Sequence, residues 1–159
     1  MEPFRFEAHT RDHSALNALW LGRACCMTYG QGADHGRAAL ATWGLTDFEP
    51  FDRGDTQGYL AGDSNLLILA FRGTENLADW MTDFNIQLVG GPAGKVHEGF
   101  HMALLQVWRQ IWEYLQANRR GRALWVTGHS LGAALATMAV AKLRLEKDEP
   151  VNGLYTYGG

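Results

Sequence analysis

The hydrophobic pattern in the first part of this chain predicts two helices. Apolar residues recur at helical spacing from Ser14 to about Tyr29, and the expected apolar face includes Leu16, Leu19, Trp20 and Met27. A second, shorter helix is predicted from Asp34 to Trp43, where Gly44 ends it. This part of the chain is therefore expected to be mainly helical.

The apolar segments that follow predict a β-hairpin. Gly58 to Ala61 and Leu66 to Phe71 are separated by the turn sequence Gly62-Asp63-Ser64-Asn65. The second segment is apolar at every position rather than at alternate positions, which is typical of a strand that is covered on both faces. We therefore expect Leu66 to Phe71 to be buried within a layered fold.

The second half of the chain alternates between helices and strands. A long amphipathic helix is predicted from His97 to Asn118, followed by a strand from Ala123 to Thr127. An alanine-rich helix from Leu131 to Lys147, which Pro150 ends, precedes a strand from Val151 to Tyr157. This order predicts an α/β fold, with a mostly parallel sheet flanked by helices.

Composition limits the classes of protein to consider. The 159 residues are 47% hydrophobic and 19% charged, contain no repeat or linker, and are expected to form a single domain, residues 1–159. The net charge of -3 gives no electrostatic signature of nucleic-acid binding, and no apolar stretch is long enough for a transmembrane segment. We therefore expect that the protein does not bind nucleic acid and has no membrane-spanning helix.

The sequence contains no feature typical of a secreted protein. Met1 to Glu7 is acidic where a signal peptide is basic, so a cytoplasmic location is the default expectation. The two cysteines, Cys25 and Cys26, are neighbours, and a disulfide between them would be strained. We expect both to be ordinary helix residues.

The segment Gly128-His129-Ser130-Leu131-Gly132, here the GHSLG turn, matches the G-x-S-x-G pattern of a nucleophile elbow. An apolar strand precedes it and a helix follows it, as an elbow requires. The turn would hold Ser130 in a strained conformation, and side chains at positions 128 and 132 would collide with the neighbouring strand and helix. We therefore predict Ser130 as a nucleophile, with the backbone N–H of Leu131 as an oxyanion donor.

A second segment, Phe71-Arg72-Gly73-Thr74, here the FRGT segment, ends the apolar strand. In a fold with a nucleophile elbow, the other oxyanion donor comes from the loop after an earlier strand. Thr74 has a backbone N–H and a hydroxyl that suit this role. We therefore predict Thr74 and Leu131 as the two sides of an oxyanion hole.

Five motifs together resemble the class 3 (fungal-type) lipase family, an α/β-hydrolase fold. They match in order and approximate spacing over roughly residues 60 to 159. They are Phe71-Arg72-Gly73-Thr74; Asp79-Trp80 with Asp83; Val96-His97-Glu98-Gly99-Phe100; Gly128-His129-Ser130-Leu131-Gly132-Ala133; and Leu154-Tyr155-Thr156-Tyr157-Gly158.

The resemblance implies a serine ester hydrolase that acts on triacylglycerols or related lipid esters through an acyl-enzyme on Ser130. It implies that Asp83 orients the oxyanion residue Thr74. It also places a lid at Glu75 to Met81, where Leu77, Trp80 and Met81 would provide an apolar contact with a lipid–water interface. No cofactor is implied.

A competing motif overlaps this pattern, because His97-Glu98-Gly99-Phe100-His101 also matches H-E-x-x-H. Zinc binding needs both histidines on one face of a formed helix and a third ligand downstream. The segment lies where the long helix is predicted to begin, and Gly99 weakens a helix by about 1 kcal/mol. We therefore expect neither a metal nor an organic cofactor.

The sequence contains a nucleophile without its usual partners. The fold orders its triad as serine, then acid, then histidine, but no histidine follows Ser130. The only later acids lie at the far end of the nucleophile helix, roughly 20 Å away; they are Glu146, Asp148 and Glu149. We therefore expect an incomplete α/β-hydrolase domain that is truncated after the strand that follows this helix. By themselves, the 159 residues are expected to hydrolyse substrate at a negligible rate.

Two other classes of function remain open on the sequence. One is a catalytically silent lipid-binding module that retains only the lipid-facing scaffold of the enzyme. The other is a different esterase on the same fold, of the phospholipase or feruloyl esterase type. The sequence does not separate them, because acyl and alcohol pockets are formed largely by loops.

Overall fold

The computed structural model describes residues 3–30, 33–74 and 87–158. Its helices are α1 (Ala15–Met27), α2 (Ala33–Ala41), α3 (Glu98–Asn118) and α4 (Leu131–Glu146). Its strands are β1 (Asp47–Arg53), β2 (Thr56–Gly62), β3 (Leu66–Phe71), β4 (Leu88–Gly91), β5 (Gly94–His97), β6 (Ala123–His129) and β7 (Gly153–Tyr157). The predicted helices and the predicted hairpin are all present.

The main sheet has the strand order β1-β2-β3-β6-β7. Strands β3, β6 and β7 are parallel to one another, as predicted, while β1 and β2 join antiparallel to β3. The described sheet is therefore mixed, and the predicted α/β class is confirmed. Strands β4 and β5 form a separate two-stranded hairpin immediately before α3.

Strand β3 is buried at every residue because helices cover both faces of the sheet. On one face Leu67, Leu69 and Phe71 pack against residues of α3 and α4. On the other face Ile68 and Ala70 pack in a second cluster, which includes residues of α1 and the region of α2. The two-residue period of a strand thus supplies both cores from one uninterrupted apolar segment.

Helix α1 buries part of the face that was predicted. Ser14 is the N-cap, and its hydroxyl accepts the Asn17 N–H at 3.1 Å, so the predicted start is confirmed. Trp20 is buried, but Leu19 is 43% exposed and the buried face includes the polar Asn17. The prediction for Leu19 was wrong because apolar residues lie on all sides of this helix, so periodicity alone does not identify the packed side.

Strand β1 and the β4–β5 hairpin were not predicted from the sequence. Pro50 lies inside β1, and proline is normally confined to edge strands because it lacks an N–H. Strand β1 is such an edge. Strands β4 and β5 contain only four residues each, and the segment between Gly91 and Gly94 turns the chain.

No helix within the described ranges combines the length and the apolar character that crossing a lipid bilayer would require.

The two cysteines differ in exposure, which gives a test of the fold. Cys25 is 3% exposed and its sulfur lies 3.1 Å from the Thr127 hydroxyl, whereas Cys26 is exposed. Burial raises the pKa of the Cys25 thiol to about 11. At pH 8 we expect iodoacetamide to modify Cys26 in the native protein and to reach Cys25 only after denaturation, because the thiolate is the reactive form.

Fragmentation mass spectrometry of the labelled peptide would distinguish the two adjacent sites. Cys26→Ser should nearly abolish native labelling, and Cys25→Ser should leave it unchanged. Rapid native labelling of the Cys26→Ser variant would contradict the packing of α1 on β6.

Candidate active site

Ser130 lies in the sharp turn between β6 and α4. Its backbone has φ 54° and ψ -124°, a conformation that residues with a side chain rarely adopt. The predicted strained conformation of the GHSLG turn is therefore confirmed. Ser130 is the N-cap residue of α4, yet its hydroxyl forms no capping hydrogen bond to the helix.

The two glycines of the GHSLG turn are required by close backbone packing. A Cβ atom on Gly128 would lie 2.0 Å from the carbonyl oxygen of Gly132. A Cβ atom on Gly132 would lie 2.5 Å from the carbonyl oxygen of Phe71, at the end of β3. Both distances are far inside van der Waals contact, so the predicted collisions with strand and helix are confirmed.

Strand β7 holds the turn from the other side. The Ser130 N–H donates to the carbonyl oxygen of Tyr157 at 2.9 Å, which continues the parallel β6–β7 pairing into the turn. At the residue immediately before the turn, the Thr127 hydroxyl donates to the carbonyl oxygen of Tyr155 at 2.9 Å. The position of Ser130 therefore depends on β7 as well as on β6 and α4.

The FRGT segment lies directly against the GHSLG turn. A Cβ atom on Gly73 would lie 2.4 Å from the carbonyl oxygen of His129 and 3.1 Å from the Cβ atom of Ser130. Thr74, which follows Gly73, is half-buried. Two segments that are far apart in sequence are thus brought to one end of the parallel strands, where the sequence predicted an oxyanion hole.

Leu131 is the first residue of α4, and its side chain is buried. N–H groups in the first turn of a helix have no acceptor within the helix, and the helix dipole favours negative charge there. The start of α4 therefore has the electrostatic character that an oxyanion needs.

Ser130 lines a mainly apolar cavity of about 590 Å³. Its wall is formed by the ends of β5 and β7, the first turn of α3 and the first half of α4. The lining residues are Val96, His97, Phe100, Ser130, Leu131, Ala133, Ala134, Thr137, Met138, Thr156 and Gly158. A cavity of this kind can hold the hydrocarbon part of a small ligand next to the serine hydroxyl.

The H-E-x-x-H segment does not form the helical arrangement of a zinc site. His97 lies outside α3 as its N-cap, and its Nδ1 accepts the Gly99 N–H at 3.1 Å. His101 lies within the helix, so the two imidazoles are not side by side on one formed helical face. In the parts of the chain that the structure describes, no three metal-binding side chains cluster.

Tyr29 is a site residue that the sequence analysis missed. Its hydroxyl lies 2.7 Å from Nδ1 of His129 and accepts the Gly73 N–H at 3.1 Å. Tyr29 follows α1, outside the part of the chain in which family motifs were found. No local pattern marks it, because its partners lie 44 and 100 residues further along the chain.

Several predicted site residues lie outside the described residues. These are Asp83, which was expected to orient Thr74, and the three apolar residues of the expected lid, which are Leu77, Trp80 and Met81.

The close approach of Gly132 to β3 predicts a strong effect of one added methyl group. Alanine is a better helix former than glycine, but in Gly132→Ala its Cβ would meet the backbone oxygens of Phe71 and Arg72, which cannot move independently of the sheet. We expect a loss of about 1–3 kcal/mol in the free energy of unfolding, measured by urea denaturation.

Gly90→Ala is the matched control, because a Cβ atom there meets nothing within 4 Å. We expect its effect on unfolding to stay within about 0.5 kcal/mol. Equal stabilities of the two variants would contradict the packing of the GHSLG turn against β3.

Comparisons with known proteins agree with this geometry. The sequence profile of the family described as lipase (class 3) matches residues 68–159. Secreted mono- and diacylglycerol lipase 1 of Fusarium solani is 38% identical over 110 residues, which cover 63% of this chain and 32% of that protein. Secreted mono- and diacylglycerol lipase A of Penicillium cyclopium is 36% identical over 121 residues, which cover 70% of this chain and 39% of that protein. The chain thus spans about a third of the length of these curated relatives.

Solved structures share the fold. The mono- and diacylglycerol lipase from Aspergillus oryzae superposes with a TM-score of 0.66 at 24% identity, covering 86% of this chain and 60% of that one. The triacylglyceride lipase of Rhizomucor miehei gives a TM-score of 0.64 at 20% identity, covering 91% of this chain and 62% of that one. Because the family profile includes both the FRGT segment and the GHSLG turn and extends over more than half of the sequence, this chain belongs to the class 3 lipase family.

Proposed function

We propose that this chain carries the nucleophile and oxyanion hole of a serine ester hydrolase that acts on acylglycerols or related lipid esters. The observation that carries the proposal is the strained Ser130 at the start of α4, beside a mainly apolar cavity of about 590 Å³. The relatives whose names include mono- and diacylglycerol lipase support the choice of substrate class.

The chemistry is acyl transfer. Ser130 Oγ attacks the ester carbonyl carbon while a base takes its proton, and the carbonyl oxygen becomes a tetrahedral oxyanion. The N–H groups of Thr74 and Leu131 and the Thr74 hydroxyl stabilise that oxyanion, and Asp83 orients Thr74. The intermediate then expels the alcohol, which receives the proton, and water hydrolyses the acyl-enzyme by the reverse sequence of proton transfers.

Leu77, Trp80 and Met81 have a separate role in this proposal. Apolar side chains in a lid can enter a lipid–water interface and bring the active site to its substrate. The lining of the Ser130 cavity supports the same class of ligand, because its walls are mainly apolar.

The proposed reaction needs a base. Among the described residues, His97 lines the Ser130 cavity, but its Nδ1 already accepts the Gly99 N–H at 3.1 Å. No histidine follows Ser130 in the sequence, and the imidazole of the adjacent His129 is hydrogen-bonded to the Tyr29 hydroxyl. We therefore propose that the 159 residues alone turn over negligibly, since losing triad members removes most of the rate. If no enzyme results even from the complete reading frame, a catalytically silent lipid-binding module is the alternative.

The first test compares two polypeptides, the 159-residue chain and the product of the complete reading frame that contains it. With a p-nitrophenyl ester and with a diacylglycerol, we expect hydrolysis by the latter that Ser130→Ala abolishes, and negligible hydrolysis by the former. Rapid Ser130-dependent hydrolysis by the 159-residue chain would mean that it contains a base. Failure of Ser130 to react with a fluorophosphonate in the product of the complete reading frame would instead favour the silent module.

The second test concerns Thr74 in the product of the complete reading frame, here the hydrolytic polypeptide. Thr74→Val removes the hydroxyl but keeps the shape, and loss of one oxyanion donor costs about 10²–10³ in kcat. Thr74→Ser keeps the hydroxyl and should lose much less. Similar kcat values for the two variants would contradict a role of the Thr74 hydroxyl in oxyanion stabilisation.

A further inference from the structure

Tyr29 connects the two segments that the proposed reaction uses. It follows the end of α1, where its N–H donates to the carbonyl oxygen of Cys26 at 3.1 Å and continues the last turn of the helix. Its half-buried side chain reaches the carboxyl ends of β3 and β6. There it contacts residues of both the FRGT segment and the GHSLG turn.

The hydroxyl forms one hydrogen bond to each segment. It accepts the Gly73 N–H at 3.1 Å, and its oxygen lies 2.7 Å from His129 Nδ1. Burial raises the pKa of the Tyr29 phenol, so at neutral pH the group keeps a proton. A phenol that accepts from Gly73 can donate its own proton to Nδ1 of His129 when the imidazole carries its proton on Nε2.

The ring of Tyr29 also contacts both segments. The guanidinium of Arg72 lies over the ring at 5.4 Å, and the His129 imidazole meets it edge to face with centroids 5.8 Å apart. A Cβ atom on Gly73 would lie 2.4 Å from the Tyr29 hydroxyl oxygen, so the glycine also allows the close approach. Tyr29 therefore packs between the residue before Gly73 and the residue before Ser130.

We propose that Tyr29 is a positioning residue that holds the FRGT segment at a fixed distance from Ser130. This inference rests on the proposed function. An oxyanion donor works only when it is already in place as charge develops, and a displacement of about 1 Å can cost about 10²-fold in rate. Gly73 precedes Thr74 and His129 precedes Ser130, so one phenol fixes the spacing between the proposed donor and the proposed nucleophile.

The role differs from substrate binding. Tyr29 is not among the residues that line the Ser130 cavity, and its hydroxyl is occupied by the two segments. Removing the hydroxyl should loosen the donor in the transition state and leave ground-state binding of the ester nearly unchanged. In kinetic terms kcat should fall while KM should not.

The test uses Tyr29→Phe, which keeps the ring and its contact with Arg72. In the 159-residue chain we expect amide exchange at Gly73 to accelerate at least about tenfold, because its acceptor is lost. In the hydrolytic polypeptide we expect kcat to fall by about ten- to a hundredfold, with KM within about twofold. The 15N resonance of His129 Nδ1 should also shift.

Tyr155→Phe is the matched control. The Tyr155 hydroxyl also accepts a backbone N–H, from Ser14 at 2.9 Å, but it lies away from the site. We expect this variant to keep its Gly73 exchange rate and its kcat within about twofold. Circular dichroism of both variants would verify that the fold is retained.

Three results would separate the possibilities. Unchanged Gly73 exchange in Tyr29→Phe would overturn the inference, and so would a kcat equal to that of Tyr155→Phe in an active wild-type enzyme. Absence of Ser130-dependent hydrolysis in the wild type would refute the proposed function, while exchange at Gly73 would still decide whether Tyr29 couples the two segments.

Discussion

The packing of Gly132 against the end of β3 is the contact on which the site depends. With no side chain at this position, the first turn of α4 comes within van der Waals distance of the Phe71 and Arg72 carbonyl oxygens. That approach brings the start of α4 next to the FRGT segment, which follows β3. It also leaves Ser130 at the head of the helix, in a backbone conformation that the surrounding strands must maintain.

The strain at Ser130 is balanced by contacts from three directions. Strand β7 accepts the Ser130 N–H through the carbonyl oxygen of Tyr157. The FRGT segment packs on the turn through Gly73, and Tyr29 bonds to both. The N-terminal region, which the family profile does not include, thus contributes directly to the geometry of the site.

Much of the architecture followed from local patterns. The unbroken apolar run of β3 predicted burial on both faces, and the structure places α3 and α4 on one side of it and α1 on the other. The edge strand β1 was missed because Pro50 is unusual in a strand, and only its place at the edge of the sheet makes that proline acceptable. Leu19 of α1 was misassigned because neighbouring elements, rather than the helix's own weak periodicity, decide which side is buried.

The sequence by itself determined the helices, the buried strands and the identity of the candidate nucleophile. These features depend on residues that are close in the chain, such as the glycines at positions 128 and 132 around Ser130. Only the tertiary structure decided that Tyr29, Gly73 and His129 meet. The two partners of Tyr29 lie 44 and 100 positions further along the chain, so these hydrogen bonds leave no trace in local periodicity. They form only once the sheet has brought the ends of its strands together.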